Sequence, residues 1–295
     1  MRKYLLFTSL LLLLISSCQK SIVWDDLVLL PPSTPVTPIT GGTSGTLLDK
    51  IVSLSNTDTI TLSYAYDASK RLIKETQVGI SNGDKVDQTK IFKRDASGKI
   101  IENTMIEYST TATTPSKYDT TNMFVHYPTG SLNFDYAIQT EVVSGSSPKD
   151  SITFQYTANK ITRVKSFFSN SLSIGYKTSY QVDYSYDANG NLAGGKIYTY
   201  TTGTAVLAAE YIFVYDTKKS PLILGNEAFL TLGENYVGSN NVTSLTTTDK
   251  INAGGSIVIA YTFGYNANNF PATANGTATY PGLGSQSLKL TYFYQ

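Results

Sequence analysis

Any chemistry in this chain has to start from very few reactive side chains. Among 295 residues there is one cysteine, Cys18, and one histidine, His126. One thiol excludes an intrachain disulfide and a multi-cysteine metal site, and one imidazole excludes a multi-histidine site. A Ser-His-Asp arrangement would have to use His126 itself. His126 lies in Met123-Phe124-Val125-His126-Tyr127, where alternation places it opposite Met123, Val125 and Tyr127. That is a solvent-facing strand position rather than the setting of a catalytic base. Asp187-Ala188-Asn189-Gly190-Asn191 offers oxygen ligands in a row, but a calcium loop of ~12 residues ends in a bidentate acid and none stands there. Turn chemistry explains the same residues. Paired carboxylates for glycoside hydrolysis cannot be picked out, because Asp25-Asp26 precede the folded body and most other acids sit in turns. The sequence predicts no catalytic residues, no metal and no cofactor. The competing class is a hydrolase of an envelope or extracellular polymer, its site assembled from loops.

Cys18 is the residue with a readable chemical fate. Arg2 and Lys3 are followed by an apolar run from Leu5 to Ile15, too short for the ~20 residues of a membrane-spanning helix. A charged start, a short apolar core and small residues at its end predict a signal peptide over residues 1–17. Ile15-Ser16-Ser17-Cys18 resembles the bacterial lipobox, which implies that Cys18 is lipidated. Each buried acyl CH₂ contributes ~0.8 kcal/mol, so two or more chains hold a protein stably on a membrane. The expected location is the outer membrane, lipid-anchored, with the periplasmic or surface side left open.

Charge narrows the partners. The chain has 23 Lys+Arg and 22 Asp+Glu, and without residues 1–17 the balance is 21 against 22. Such a chain has no broad field to attract nucleic acid. Only 15% of residues are charged, so Thr, Ser and Asn must do much of the solubilising.

The elements that would position any site repeat along the chain. Residues 18–46, with Pro31, Pro32, Pro35, Pro38 and Gly41-Gly42-Thr43-Ser44-Gly45, form a Pro/Thr/Gly-rich tether. From residue 47 to 295, segments ending in an aromatic residue run into turns. Their key positions are 66, 94, 127, 156, 186, 215 and 265, spaced 28, 33, 29, 30, 29 and 50 apart. Within a copy, Val182, Tyr184 and Tyr186 face one way and Gln181, Asp183 and Ser185 the other. Asp67-Ala68-Ser69-Lys70, Asp95-Ala96-Ser97-Gly98 and Asp187-Ala188-Asn189-Gly190 share one turn position, with Asp to bond its own backbone and Gly for positive φ. Each unit reads as a β-hairpin. The prediction is an all-β antiparallel meander of ~30-residue hairpin repeats, roughly fifteen strands, forming a curled sheet or partly closed barrel. The long spacing marks an irregular insertion at about 217–241, with a short helical turn over 226–232.

Tyr64, Tyr66, Tyr184, Tyr186, Phe213 and Tyr215 fall on one face. On an open sheet they would make an aromatic interaction surface for a protein or polysaccharide partner. On a curved sheet the same stripe becomes core. An integral outer-membrane barrel is the weaker alternative, because lysines flank several turns and a lipid anchor would be redundant for it.

Tyr186-Asp187-Ala188-Asn189-Gly190-Asn191-Leu192 resembles the YD repeat of RHS-type proteins. Tyr66-Asp67-Ala68-Ser69-Lys70-Arg71-Leu72 and Arg94-Asp95-Ala96-Ser97-Gly98-Lys99-Ile100 are weaker copies. The layout is similar to YD-repeat-like envelope lipoproteins of Gram-negative bacteria, over most of residues 47–295. The resemblance implies a hairpin-repeat lipoprotein with a non-enzymatic binding or scaffold role. It brings no catalytic residues, and the copies are too few for an RHS shell.

Overall fold

The computed structural model describes residues 46–55, 58–81, 83–108, 118–142, 149–168, 177–201, 203–251 and 255–295. Cys18, the signal peptide and nearly all of the tether lie outside them. The strands are β1 (Leu48–Ser55), β2 (Asp58–Tyr66), β3 (Leu72–Ser81), β4 (Asp84–Arg94), β5 (Ile100–Tyr108), β6 (Tyr118–His126), β7 (Tyr136–Val142) and β8 (Lys149–Thr157). They continue as β9 (Lys160–Phe168), β10 (Lys177–Tyr186), β11 (Leu192–Thr201), β12 (Thr204–Lys219), β13 (Asn240–Asp249), β14 (Ser256–Tyr265), β15 (Pro271–Tyr280) and β16 (Gly284–Tyr294). Every strand pairs antiparallel with its chain neighbours, and β1 pairs with β16 from Leu48↔Tyr294 to Leu54↔Lys289. The expected curled or partly closed sheet is therefore corrected to a closed barrel of sixteen strands. Closure removes both sheet edges, whose backbone groups would otherwise stay unpaired.

The Asp turns form one rim. In three of them the Asp carbonyl accepts from the residue three further on: Lys70 N at 2.9 Å, Gly98 N at 3.0 Å and Gly190 N at 3.1 Å. Those residues have φ of 62°, 92° and 87°. The Asp carboxylate closes the same loops, as when Asp67 accepts from Ser69 N and Arg71 N at 2.8 and 2.9 Å. This is the geometry expected of an Asx turn followed by a left-handed residue.

The repeat's aromatic residue is a latch between neighbouring hairpins. The Tyr66 hydroxyl donates to the Leu48 carbonyl at 2.8 Å, Tyr156 to Phe134 at 2.7 Å, Tyr186 to Ile161 at 2.7 Å, Tyr215 to Leu192 at 2.9 Å and Tyr294 to Pro271 at 2.6 Å. Each bond reaches back to a residue within two positions of the start of a strand of the preceding unit. That pins the register of successive hairpins, each bond contributing about 1 kcal/mol net. Arg94 stands in the tyrosine's place, and its guanidinium donates to the Leu72 carbonyl at 3.1 Å.

Alternation separates an apolar inside from a polar outside. On β15, Ala274, Gly276 and Ala278 are buried while Asn275, Thr277 and Thr279 are exposed. On β10, Val182 is buried and faces in, whereas Asp183 faces out and holds Arg163 through two bonds at 2.5 and 2.8 Å. Lys196 and Lys250 reach Glu210 at 3.5 and 2.8 Å in the same way. Exposed large apolar residues occur in ones and twos, such as Val78 with Ile80 and Ile212 with Val214.

Candidate functional site

A sixteen-strand barrel is wide enough to leave an aqueous channel if nothing enters it. Here the link between β12 and β13 enters it. The link carries a 3-10 helix at Gly225–Leu230 and a 3-10 turn at Glu234–Tyr236, within the stretch read from the sequence as an irregular insertion. Its two arms pair, Ser220 N donating to Ser239 O at 2.8 Å and Leu224 N to Tyr236 O at 2.9 Å. Leu222, Leu230 and Leu232 join one buried cluster with Leu48, Phe92, Phe154 and Ile259 from the wall. Ala228 and Val237 join a second with Val182, Leu192, Tyr211 and Leu245. The segment is a plug that packs the half of the lumen beside the Asp-turn rim.

Polar side chains fix the plug. Arg94 donates to both Glu227 carboxylate oxygens, each at 2.8 Å. Asn103 Nδ2 donates to the Leu230 carbonyl at 2.8 Å, and Asn226 Nδ2 to the Asn159 carbonyl at 2.7 Å. Glu234 is half-buried as a residue, but its carboxyl is enclosed by two wall phenols. Tyr184 donates to Oε1 at 2.6 Å and Tyr211 donates to Oε2. Burial pushes the Glu234 carboxyl above the usual range, and the two hydroxyl donors pull it partly back.

Next to the plug, the inner face of β3 and β4 is polar. Glu75 pairs in register with Lys90, and Gln77 with Gln88. Lys90 Nζ lies 3.3 Å from Glu75 Oε1, with the two side chains only 12% and 5% exposed. Gln88 Nε2 donates to Glu107 at 3.1 Å. Gln77 is 4% exposed, and its amide nitrogen has no hydrogen-bond partner. An unmade bond of this kind costs about 1–3 kcal/mol, and a buried ion pair adds desolvation of its own. Glu75, Gln77 and Lys90 face a cavity of about 110 Å³ whose other walls include Tyr236, Tyr261, Phe263 and Tyr292. Burial raises the Tyr236 phenol to about 12, so it is a neutral donor.

The six aromatic residues of the sequence stripe all line the interior. Tyr64 and Phe213 are 4% and 7% exposed. Tyr66, Tyr186 and Tyr215 are rim latches, and Tyr184 holds the plug. They form no exposed aromatic face. His126 is exposed, with Nδ1 2.7 Å from Asp135 and its ring stacked on Tyr136 at 4.4 Å. The Asp187 carboxylate accepts from Asn191 N and Nδ2 at 2.8 and 2.9 Å, which is turn chemistry. Among the described residues, no group of three His, Cys, Asp or Glu side chains could hold a metal ion.

The Glu75, Gln77 and Lys90 group is not legible in the alternation. Val78 and Ile80 read as the apolar face of β3, yet they are 47% and 46% exposed. The register shifts at Ala65/Tyr66, where β2 meets the start of β3. That irregularity reverses the phase between Leu72 and Glu75.

No family model matches the sequence, and no curated protein matches it. A solved barrel structure has a similar architecture. A porin-like protein from Bacteroides uniformis is 7% identical, with a TM-score of 0.51 over 83% of this chain and 96% of that one. A porin-like protein from Bacteroides vulgatus is 12% identical, with a TM-score of 0.45 over 84% of this chain and 98% of that one.

Proposed function

We propose that this chain is a lipid-anchored envelope protein with a non-enzymatic binding or scaffold role, whose barrel is a water-facing body and not a conduit. The observation that carries this reading is the inversion of the two faces. A barrel that spans a membrane presents a continuous apolar band outward and a polar lumen inward. Here the outside is mostly Thr, Ser, Lys and ion pairs with apolar residues such as Val78, Phe124 and Ile212 scattered among them, while apart from the polar group on β3 and β4 it is Leu, Tyr and Phe that pack inward around the plug. The likeness to a porin-like protein supports the barrel, and the plug across one half of the lumen argues against a pore. The lipobox-like Cys18 supplies the attachment that such a body needs.

Two measurements test this. The purified chain added to planar bilayers is expected to give no ion conductance. Cys18→Ser is expected to abolish acyl labelling and to release the protein from the membrane fraction as a folded, water-soluble barrel. Stable conductance steps, or labelled and membrane-bound Cys18→Ser protein, would overturn the reading.

A further inference from the structure

We propose that the cavity beside Glu75, Gln77 and Lys90 binds a short neutral polyol of three or four carbons. The proposal rests on the reading of the barrel as a plugged binding body and names the ligand class of its interior site. Three features of the wall define that class.

The buried Gln77 amide nitrogen has no hydrogen-bond partner, and an occupant that accepts a hydrogen bond there satisfies it. Glu75, two residues earlier on the same face of β3, offers acceptor oxygens, so the occupant must also donate. Two residues along a strand span about 6.6 Å. A hydroxyl both donates and accepts, and hydroxyls on successive carbons serve both positions at once. Lys90 is already neutralised by Glu75 at 3.3 Å. A charged occupant would leave that low-dielectric pair unbalanced, so a neutral one fits. The facing wall of Tyr236, Tyr261 and Tyr292 gives the carbon skeleton apolar ring surface.

Volume sets the length. The cavity is about 110 Å³, below the ~150 Å³ of an engineered apolar cavity that holds benzene. A volume somewhat smaller than one that holds six-carbon benzene suits a chain of three or four hydroxylated carbons.

The test uses the purified full chain with glycerol and erythritol as probes and n-butanol as the hydroxyl-poor control. Saturation-transfer NMR and titration calorimetry are expected to show saturable binding of a polyol and none of n-butanol. Gln77→Leu should weaken that binding by roughly tenfold or more, the loss of one buried hydrogen bond. Leu62→Phe, which fills the same cavity from the strand position beside Gln77 without removing any of its polar groups, should block it. Thermal melts confirm that both variants fold. No saturable polyol binding by the folded protein would overturn the proposal. Unchanged binding in both variants would overturn it as well. Either result leaves the bilayer and Cys18 experiments standing, so the two readings fail separately.

Discussion

Arg94 on the barrel wall and Glu227 on the plug meet through two bonds of 2.8 Å, with the Arg94 side chain 6% exposed. The same guanidinium also donates to the Leu72 carbonyl, the acceptor that a repeat tyrosine would take at this position. Arg94 is thus the one rim position where the repeat's aromatic residue is replaced, and the replacement does a second job. A phenol has one donor, whereas a guanidinium has five in a planar fork. Only the fork can latch a neighbouring hairpin and clamp a carboxylate together.

Restoring the repeat should therefore weaken the protein. Arg94→Tyr is expected to keep a donor for Leu72 but to lose Glu227, at a cost of about 1–3 kcal/mol. Urea denaturation measures the loss. Limited proteolysis should find a new cleavage site between Ser220 and Ser239. Wild-type stability with no new cleavage would mean that the plug is held by its apolar contacts alone.

Glu234 should make stability depend on pH. Its folded carboxyl is held above the ordinary range by burial, with the phenols of Tyr184 and Tyr211 opposing that shift. The protonated form therefore favours the folded state. Its contribution is fully present below the unfolded value of about 4.3 and is lost as pH rises through the raised folded value. In denaturation series across pH, the wild type should lose stability relative to Glu234→Gln over that window, with a flat difference above it. A constant difference at every pH would show that the carboxyl is not perturbed.

The hairpin grammar was legible because it is local. The Asp carboxylates, the left-handed residue after each turn and the alternation of Val182, Tyr184 and Tyr186 depend on neighbours within one unit. Closure was not legible, because pairing of Leu54 with Lys289 joins residues from opposite ends of the folded part. The insertion was visible as a break in spacing, but its place inside the lumen depends on Arg94, Asn103 and Tyr184, on three different strands. The polar group at Glu75 and Gln77 was hidden because an irregularity beside Leu72 reverses which face is inner.

Lys70 is the residue in these turns that least suits its backbone. It holds φ 62° where Gly98 and Gly190 hold 92° and 87° in equivalent turns. A non-glycine residue there is strained by roughly 1–2 kcal/mol, offset in part by the greater unfolded freedom of glycine. Lys70→Gly should raise stability by about 0.5 kcal/mol. Gly190→Val should lower it by at least about 1 kcal/mol. Thermal and urea midpoints that move the same way for both variants would contradict the shared turn geometry.

Two interior tyrosines lie across glycines on the neighbouring strand. Gly195 is paired with Tyr211, and Gly276 with Tyr261. A Cβ built on Gly195 would stand 2.5 Å from the Tyr211 ring, and one on Gly276 would stand 2.6 Å from the Tyr261 ring. Neither glycine is in the left-handed region, so the need for glycine is one of space. Tyr211 cannot yield easily, since it is 1% exposed and its hydroxyl is bound to Glu234. Gly195→Ala and Gly276→Ala should each cost about 1–3 kcal/mol through overpacking. The cause can be separated from a general loss of strand order by a double-mutant cycle. In a Tyr261→Leu background the ring is gone, and Gly276→Ala should become nearly neutral, with a coupling of about 1 kcal/mol or more. Full additivity of the two substitutions would show that the ring is not what the glycine makes room for.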